Sequence, residues 1–179
     1  MAKKLKIQEG DLFAIPLLNE EFGIGQIVAF PRTKDVFIMV VFDYKTTNPS
    51  PNEIVSYLSS PILFLGYSTD ARLYHKKWHI IANDRSNLKD IELPYNRLGT
   101  PPEDIYLTDY KNERIKTITQ FEFDKLQYMT SYAPIRFESA LNAYFELSDW
   151  KSEDYDSILY SKTLNSIEVA KEILNNGLI

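Results

Sequence analysis

The sequence contains no cysteine, and that absence excludes disulfides, zinc ribbons, iron–sulfur clusters and thiol catalysis. Histidine is almost as scarce, with His75 and His79 the only two. Their four-residue spacing would put both on one helical face, yet the residues from Trp78 onward read as extended and no nearby carboxylate completes a ligand set. No metal site and no cofactor are expected. Long apolar runs are missing too: the longest, 36–42, has seven residues, against the ~20 that a membrane helix needs. The basic start at Lys3, Lys4 and Lys6 is followed by Glu9, Gly10 and Asp11, so no signal-peptide core forms. A cytoplasmic protein with no membrane partner is the expectation, and the missing cysteines fit it.

Catalytic signatures are equally thin. Gly23-Ile24-Gly25 starts a dinucleotide fingerprint, but Val28 holds the third glycine position and a strand follows where pyrophosphate needs a helix N-terminus. There is no P-loop and no nucleophile elbow. No catalytic residue is assigned.

Basic charge is in deficit. Lys and Arg number 20 against 25 Asp and Glu, a formal net charge of −5, so the molecule as a whole repels nucleic-acid phosphates and anionic lipid. By thirds the basic and acidic groups number 6 and 7, 9 and 8, then 5 and 10, so the imbalance lies in residues 121–179. Its densest part is Ser148-Asp149-Trp150-Lys151-Ser152-Glu153-Asp154-Tyr155-Asp156. Carboxylates steer the encounter with a basic protein and aromatic residues anchor it. Asp149, Trp150, Glu153, Asp154, Tyr155 and Asp156 are therefore the candidate binding residues. The competing patch is Lys76-Lys77-Trp78 with Arg72 and Arg85, which could stack bases. Overall charge argues instead for a solvated loop leading into a buried tryptophan.

What is present is a globular composition: 179 residues, 44% hydrophobic and 25% charged. Length and composition predict a single domain, 1–179, β-rich over 7–118 and helical over 134–178. Aromatic residues reach 13%, with Tyr 12 and Phe 10, which suits half-buried sheet faces. Strands are predicted at 11–17, 23–30, 36–42, 62–67, 78–82, 105–107 and 114–118. Pro16 marks the first as an edge strand, and the glycines of the second mark a bulge. The third is apolar on both faces and belongs at the centre. Asn52 is expected to cap a short helix over 53–58, and 88–102, with four of its fifteen positions Pro or Gly, reads as a loop.

In the last third the period changes. Phe137, Ala140, Leu141, Tyr144 and Phe145 make a helical stripe, with Pro134 in its first turn. A final helix is placed from Asn165 or Ser166, with Asn165 and Glu168 at capping-box spacing, Ile167, Ala170, Ile173 and Leu174 as its apolar side, and Gly177 as its end. Strands followed by helices predict an α+β fold: a mainly antiparallel, strongly curved sheet or partial barrel with C-terminal helices.

One resemblance is carried by particular residues. Ile7-Gln8-Glu9-Gly10-Asp11-Leu12-Phe13-Ala14-Ile15-Pro16-Leu17, a polar turn, and Phe22-Gly23-Ile24-Gly25-Gln26-Ile27-Val28 resemble the opening of the immunity protein 26 family. Members typically begin with a Gly-Asp-x-Phe-x-Ile-Pro-Leu strand and a Tyr/Phe-Gly/Ala-x-Gly-Arg-Val strand; here Gln26 stands at the arginine. Ser60-Pro61-Ile62-Leu63-Phe64, Lys77-Trp78-His79-Ile80-Ile81 and an acidic-aromatic helical tail follow in the same order, while the last helix lies beyond the resemblance. It implies a non-enzymatic bacterial immunity protein, bound in the producing cell to a cognate toxin domain; if that toxin is a nuclease, its cleft is basic and an acidic partner is steered to it. Rival readings from other classes are a small barrel that binds nucleic acid through the Arg72 to Trp78 region and a hydrolase whose site is assembled from loops. The sequence does not fix the oligomeric state.

Overall fold

The computed structural model describes residues 5–176. In chain order it contains β1 (Asp11–Pro16), β2 (Phe22–Ala29), β3 (Phe37–Thr46), α1 (Ile54–Ser59), β4 (Ile62–Ser68), α2 (Ala71–Tyr74) and β5 (His79–Asn83). Next come β6 (Asn96–Thr100), β7 (Glu103–Thr108), β8 (Arg114–Thr117), α3 (Gln120–Asp124) and β9 (Ser131–Tyr132). The chain then forms α4 (Pro134–Tyr144), α5 (Ser152–Tyr155) and α6 (Tyr160–Asn175). The fold is α+β, and no helix among the described residues is long and apolar enough to cross a membrane. Its contacts divide into two compact units: one takes the chain up to Ile91 together with Ser131–Leu159, the other Glu92–Thr130 together with the chain from Tyr160 on.

The first unit is built on a six-stranded sheet in the order β5-β1-β2-β3-β4-β9. β1 to β4 form the expected antiparallel meander, because short links between consecutive strands favour neighbours. β3 lies near the middle, and its residues from Phe37 to Phe42 are all buried. The two-glycine strand is irregular as predicted, with a register shift between Gly23 and Gly25 against β3.

Three expectations need correction. β1 is not an edge strand, since β5 covers its outer side from Asp11 to Ala14; Pro16 is tolerated because it lies past the end of that pairing. Nor does the sheet close: its order ends at β5 and β9, only β4 and β9 are parallel, and neither sheet curls into a partial barrel. Asn52 also fails as a cap. Ser50 does that work, its hydroxyl accepting from the Asn52 N–H at 3.2 Å, and a 3-10 turn over Pro51–Glu53 leads into α1.

α4 covers one face of this sheet through Phe137, Ala140 and Leu141, packed with Phe13, Ile15, Met39, Val41 and Phe64. Missing side chains in the sheet make room for it: a Cβ on Gly23 would collide with Leu141 Cδ2, and one on Gly66 would lie 2.9 Å from Phe137 Cζ. Tyr144, the last of the predicted stripe inside the helix, is 41% exposed and donates to Asp43 Oδ2 at 2.9 Å. Gln26 is fully buried on β2. It donates to the Asp84 carbonyl at 2.8 Å and exchanges hydrogen bonds with the Asn87 amide at 3.1 and 2.8 Å, so a neutral side chain there is satisfied without a counter-ion.

The second unit contains the antiparallel sheet β6-β7-β8 and a core of Ile105, Leu107, Ile118, Phe123, Leu126, Val169, Ala170 and Ile173. Three sequence expectations change here. β6 occupies part of the predicted 88–102 loop, with Gly99 supplying φ 106° where its Cβ would strike the Asp104 carbonyl. α6 begins at Tyr160, so Asn165 and Glu168 lie inside the helix and form no capping box, and Leu174 is 37% exposed. Gly177 lies outside the described residues. The capping box occurs at α3 instead, where the Thr119 hydroxyl accepts from the Glu122 N–H at 3.2 Å and the Thr119 N–H donates to Glu122 Oε2 at 2.8 Å.

Candidate binding surface

The acidic-aromatic segment lies in the first unit, at the end of the sheet where β9 pairs with β4. β9 is fixed there by parallel pairing and by Ser68 Oγ, which donates to the Tyr132 carbonyl at 2.9 Å. The far end of the segment returns to the same strand through an antiparallel bridge between Phe64 and Leu159. Between these anchors the chain runs through α4 and then the single turn of α5, with Glu153 and Asp154 in the first turn of α5, where carboxylates suit the helix dipole.

Trp150 is the centre of this arrangement. Its indole is roughly parallel to Phe64 with centroids 6.3 Å apart, and meets Tyr155 edge to face at 5.2 Å. Its N–H donates to Asp156 Oδ1 at 2.9 Å. Held on three sides, the ring is still 37% exposed, which is the condition of an aromatic that offers a preordered apolar face. Tyr155 differs: it is 7% exposed and belongs to the core with Phe64, Phe137 and Ile158.

The four carboxylates divide into two pairs. Asp149 and Glu153 are exposed, and neither has an ion-pair partner among the described residues. Asp156 is engaged by Trp150, and Asp154 Oδ1 lies 3.9 Å from Arg136 Nη1. Arg136 also donates to the Asp154 carbonyl at 2.6 Å and stacks over Tyr132 at 4.7 Å. The sequence reading missed Arg136, although a signal existed: it is the sole basic residue between Lys125 and Lys151.

Two open hollows flank the first turn of α4. One, about 540 Å³, is lined by Ala71, Arg72, His75 and Lys77 with Ala133, Pro134 and Ile135. The other, about 370 Å³, also reaches Ala133 and Ile135 and runs on past Tyr132 and Arg136 to Lys151 and Asp154. Around the first hollow the rival basic patch comes apart. Trp78 is buried, stacked on Phe13 at 5.1 Å with the planes 8° apart, and its N–H donates to Glu138 Oε2 at 2.9 Å. Arg72 Nε lies 3.4 Å from the same carboxylate. Trp78 is therefore core, as the sequence reading favoured, and has no face to offer a base. His75 caps α2 and His79 opens β5; no group of three His, Asp or Glu residues able to hold a metal occurs among the described residues.

Compared with known proteins, residues 8–100 match the family model described as Immunity protein 26. No curated protein and no solved structure matches the chain. The matched stretch runs from just before β1 to the end of β6 and stops short of Asp149 to Asp156.

Proposed function

Because the chain belongs to the immunity protein 26 family, we propose that it binds a cognate bacterial toxin domain in the cytoplasm of the producing cell and blocks it by occupation, without catalysing a reaction. The observation that carries the contact surface is Trp150: a half-exposed indole, fixed by Phe64, Tyr155 and Asp156, beside the uncompensated carboxylates of Asp149 and Glu153. Aromatic anchors of this kind dominate interface energies, while unpaired rim charges accelerate encounter with a partner of opposite sign. Asp156 and Tyr155 hold that indole in place, while Asp154 is paired with Arg136. A basic toxin cleft, as in a nuclease, is the complementary surface. The segment also falls outside the residues matched to the family, which suits a contact that must distinguish one toxin from another.

The nucleic-acid reading loses its stacking residue to the core, since Trp78 is 1% exposed. The test is to mix the purified protein with the toxin domain encoded beside it and to follow complex formation by gel filtration and toxin activity. A complex at micromolar concentration with loss of toxin activity is expected. No complex with any neighbouring toxin domain contradicts the proposal.

A further inference from the structure

The two hollows beside α4 meet at Ala133 and Ile135, so they form one trough across the helix's first turn. Where they meet, the floor of the trough is apolar, with Ile135 43% exposed. Its rim is basic: Arg72, His75 and Lys77 at one end, Arg136 and Lys151 at the other, against Asp154 as the one lining carboxylate. Arg72 is balanced by Glu138 and Arg136 by Asp154, but Lys77 and Lys151 are exposed and have no ion-pair partner among the described residues. An apolar floor between two uncompensated ammonium groups sits within a chain of net charge −5, so this local excess runs against the molecule as a whole.

We propose that the trough is a second docking site, which takes an acidic segment of a partner protein. An apolar side chain of that segment rests on the exposed Ala133 and Ile135, and carboxylates on either side of it reach Lys77 and Lys151. A small inorganic anion gains nothing from the apolar floor. A nucleic-acid strand finds little to stack on, because Arg136 lies over the Tyr132 ring and Tyr155 is buried, which leaves His75 as the exposed ring of the lining. The site needs no toxin and is opposite in sign to the Trp150 surface.

Fluorescence anisotropy tests it with short labelled peptides rich in Asp and Glu around a single Leu, Phe or Trp, beside charge-inverted twins in which Lys replaces each acid. The acidic peptides are expected to bind with submillimolar affinity and the inverted ones not to bind. An exposed ion pair is worth roughly 2- to 5-fold in affinity, so K77E with K151E should weaken binding about tenfold. Ile135→Asp, which suits the first turn of a helix, should weaken it while circular dichroism stays unchanged. Absence of binding by all acidic peptides, binding indifferent to these variants, or equal competition by oligothymidylate or inorganic polyphosphate overturns the proposal. None of these results bears on the toxin complex, which is read through Trp150.

Discussion

The two units of this chain solve the same problem, burying a sheet against helices, with different materials. The first has an aromatic interior in which Phe13 lies flat on Trp78 and Phe64, Phe137 and Tyr155 fill the space under α4. The second relies on aliphatic residues, with Phe123 as the one aromatic fully inside. Strands buried on both faces write themselves as apolar runs, and wide aromatic side chains lock the register of what packs on them. Short strands packed on one side leave a fainter trace. The first unit therefore makes a scaffold from which a surface can be presented with fixed geometry, and both candidate docking sites are on it.

Unfolding measurements break or sharpen this comparison. Phe13→Ala should cost about 3–5 kcal/mol and Leu107→Ala about 2–5 kcal/mol, both being fully buried. We propose that the chain behaves as one domain, in which case urea titration shows both changes shifting a single transition. Two transitions that respond separately would break that proposal. Next in size are glycines. Gly99→Ala in the second unit forces a side chain into φ 106° and against a backbone carbonyl, and should cost about 2 kcal/mol or more. Gly23→Ala in the first presses on the movable end of Leu141 and should cost less. Equal losses would mean that the α4 contact is as rigid as backbone.

A smaller effect separates a real cap from an apparent one. Thr119→Ala should lose about 1 kcal/mol by thermal melting, whereas Asn165→Ala should lose nothing, because Asn165 is exposed inside α6. The smallest is alkaline. Burial raises the Tyr57 and Tyr44 phenols, a hydrogen bond to Asp43 followed by burial raises Tyr144, and burial raises Tyr160 in the second unit. A group whose folded pKa is raised stabilises fully below its unfolded value. Their contribution is thus complete below about pH 10 and is lost as pH climbs through the folded values. Tyr57→Phe should flatten that decline, measured as melting temperature against pH. An unchanged slope would remove Tyr57 from the account.

The same contrast explains what was legible. β1 to β4, the bulge at the Gly23 pair and the α4 stripe could be read because alternation, glycine and 3.6-residue spacing each have a direct packing cause. β6 was hidden by Pro94, Gly99, Pro101 and Pro102, which announce a loop although they flank or shape a strand. The start of α6 was misread because its polar residues serve the helix body: Ser166 Oγ donates to the Thr163 carbonyl at 2.7 Å and accepts from the Tyr95 N–H at 3.2 Å. Of the docking segment, composition marked the residues but not their division. Pairwise contacts alone separate Asp149 and Glu153, left to solvent, from Asp154 and Asp156, held by Arg136 and Trp150. Sequence spacing cannot tell Trp150, which is offered outward, from Tyr155, which is buried.

Affinity for the toxin domain of the neighbouring gene, measured by calorimetry for the native chain, Trp150→Ala and the Asp149→Lys, Glu153→Lys pair, addresses the main claim most directly. Loss of the indole should weaken binding by at least about 2 kcal/mol, the scale of an interface hot spot, and charge reversal should mainly slow association and steepen at low salt. Undiminished affinity in both variants would mean that the toxin is held elsewhere on the molecule.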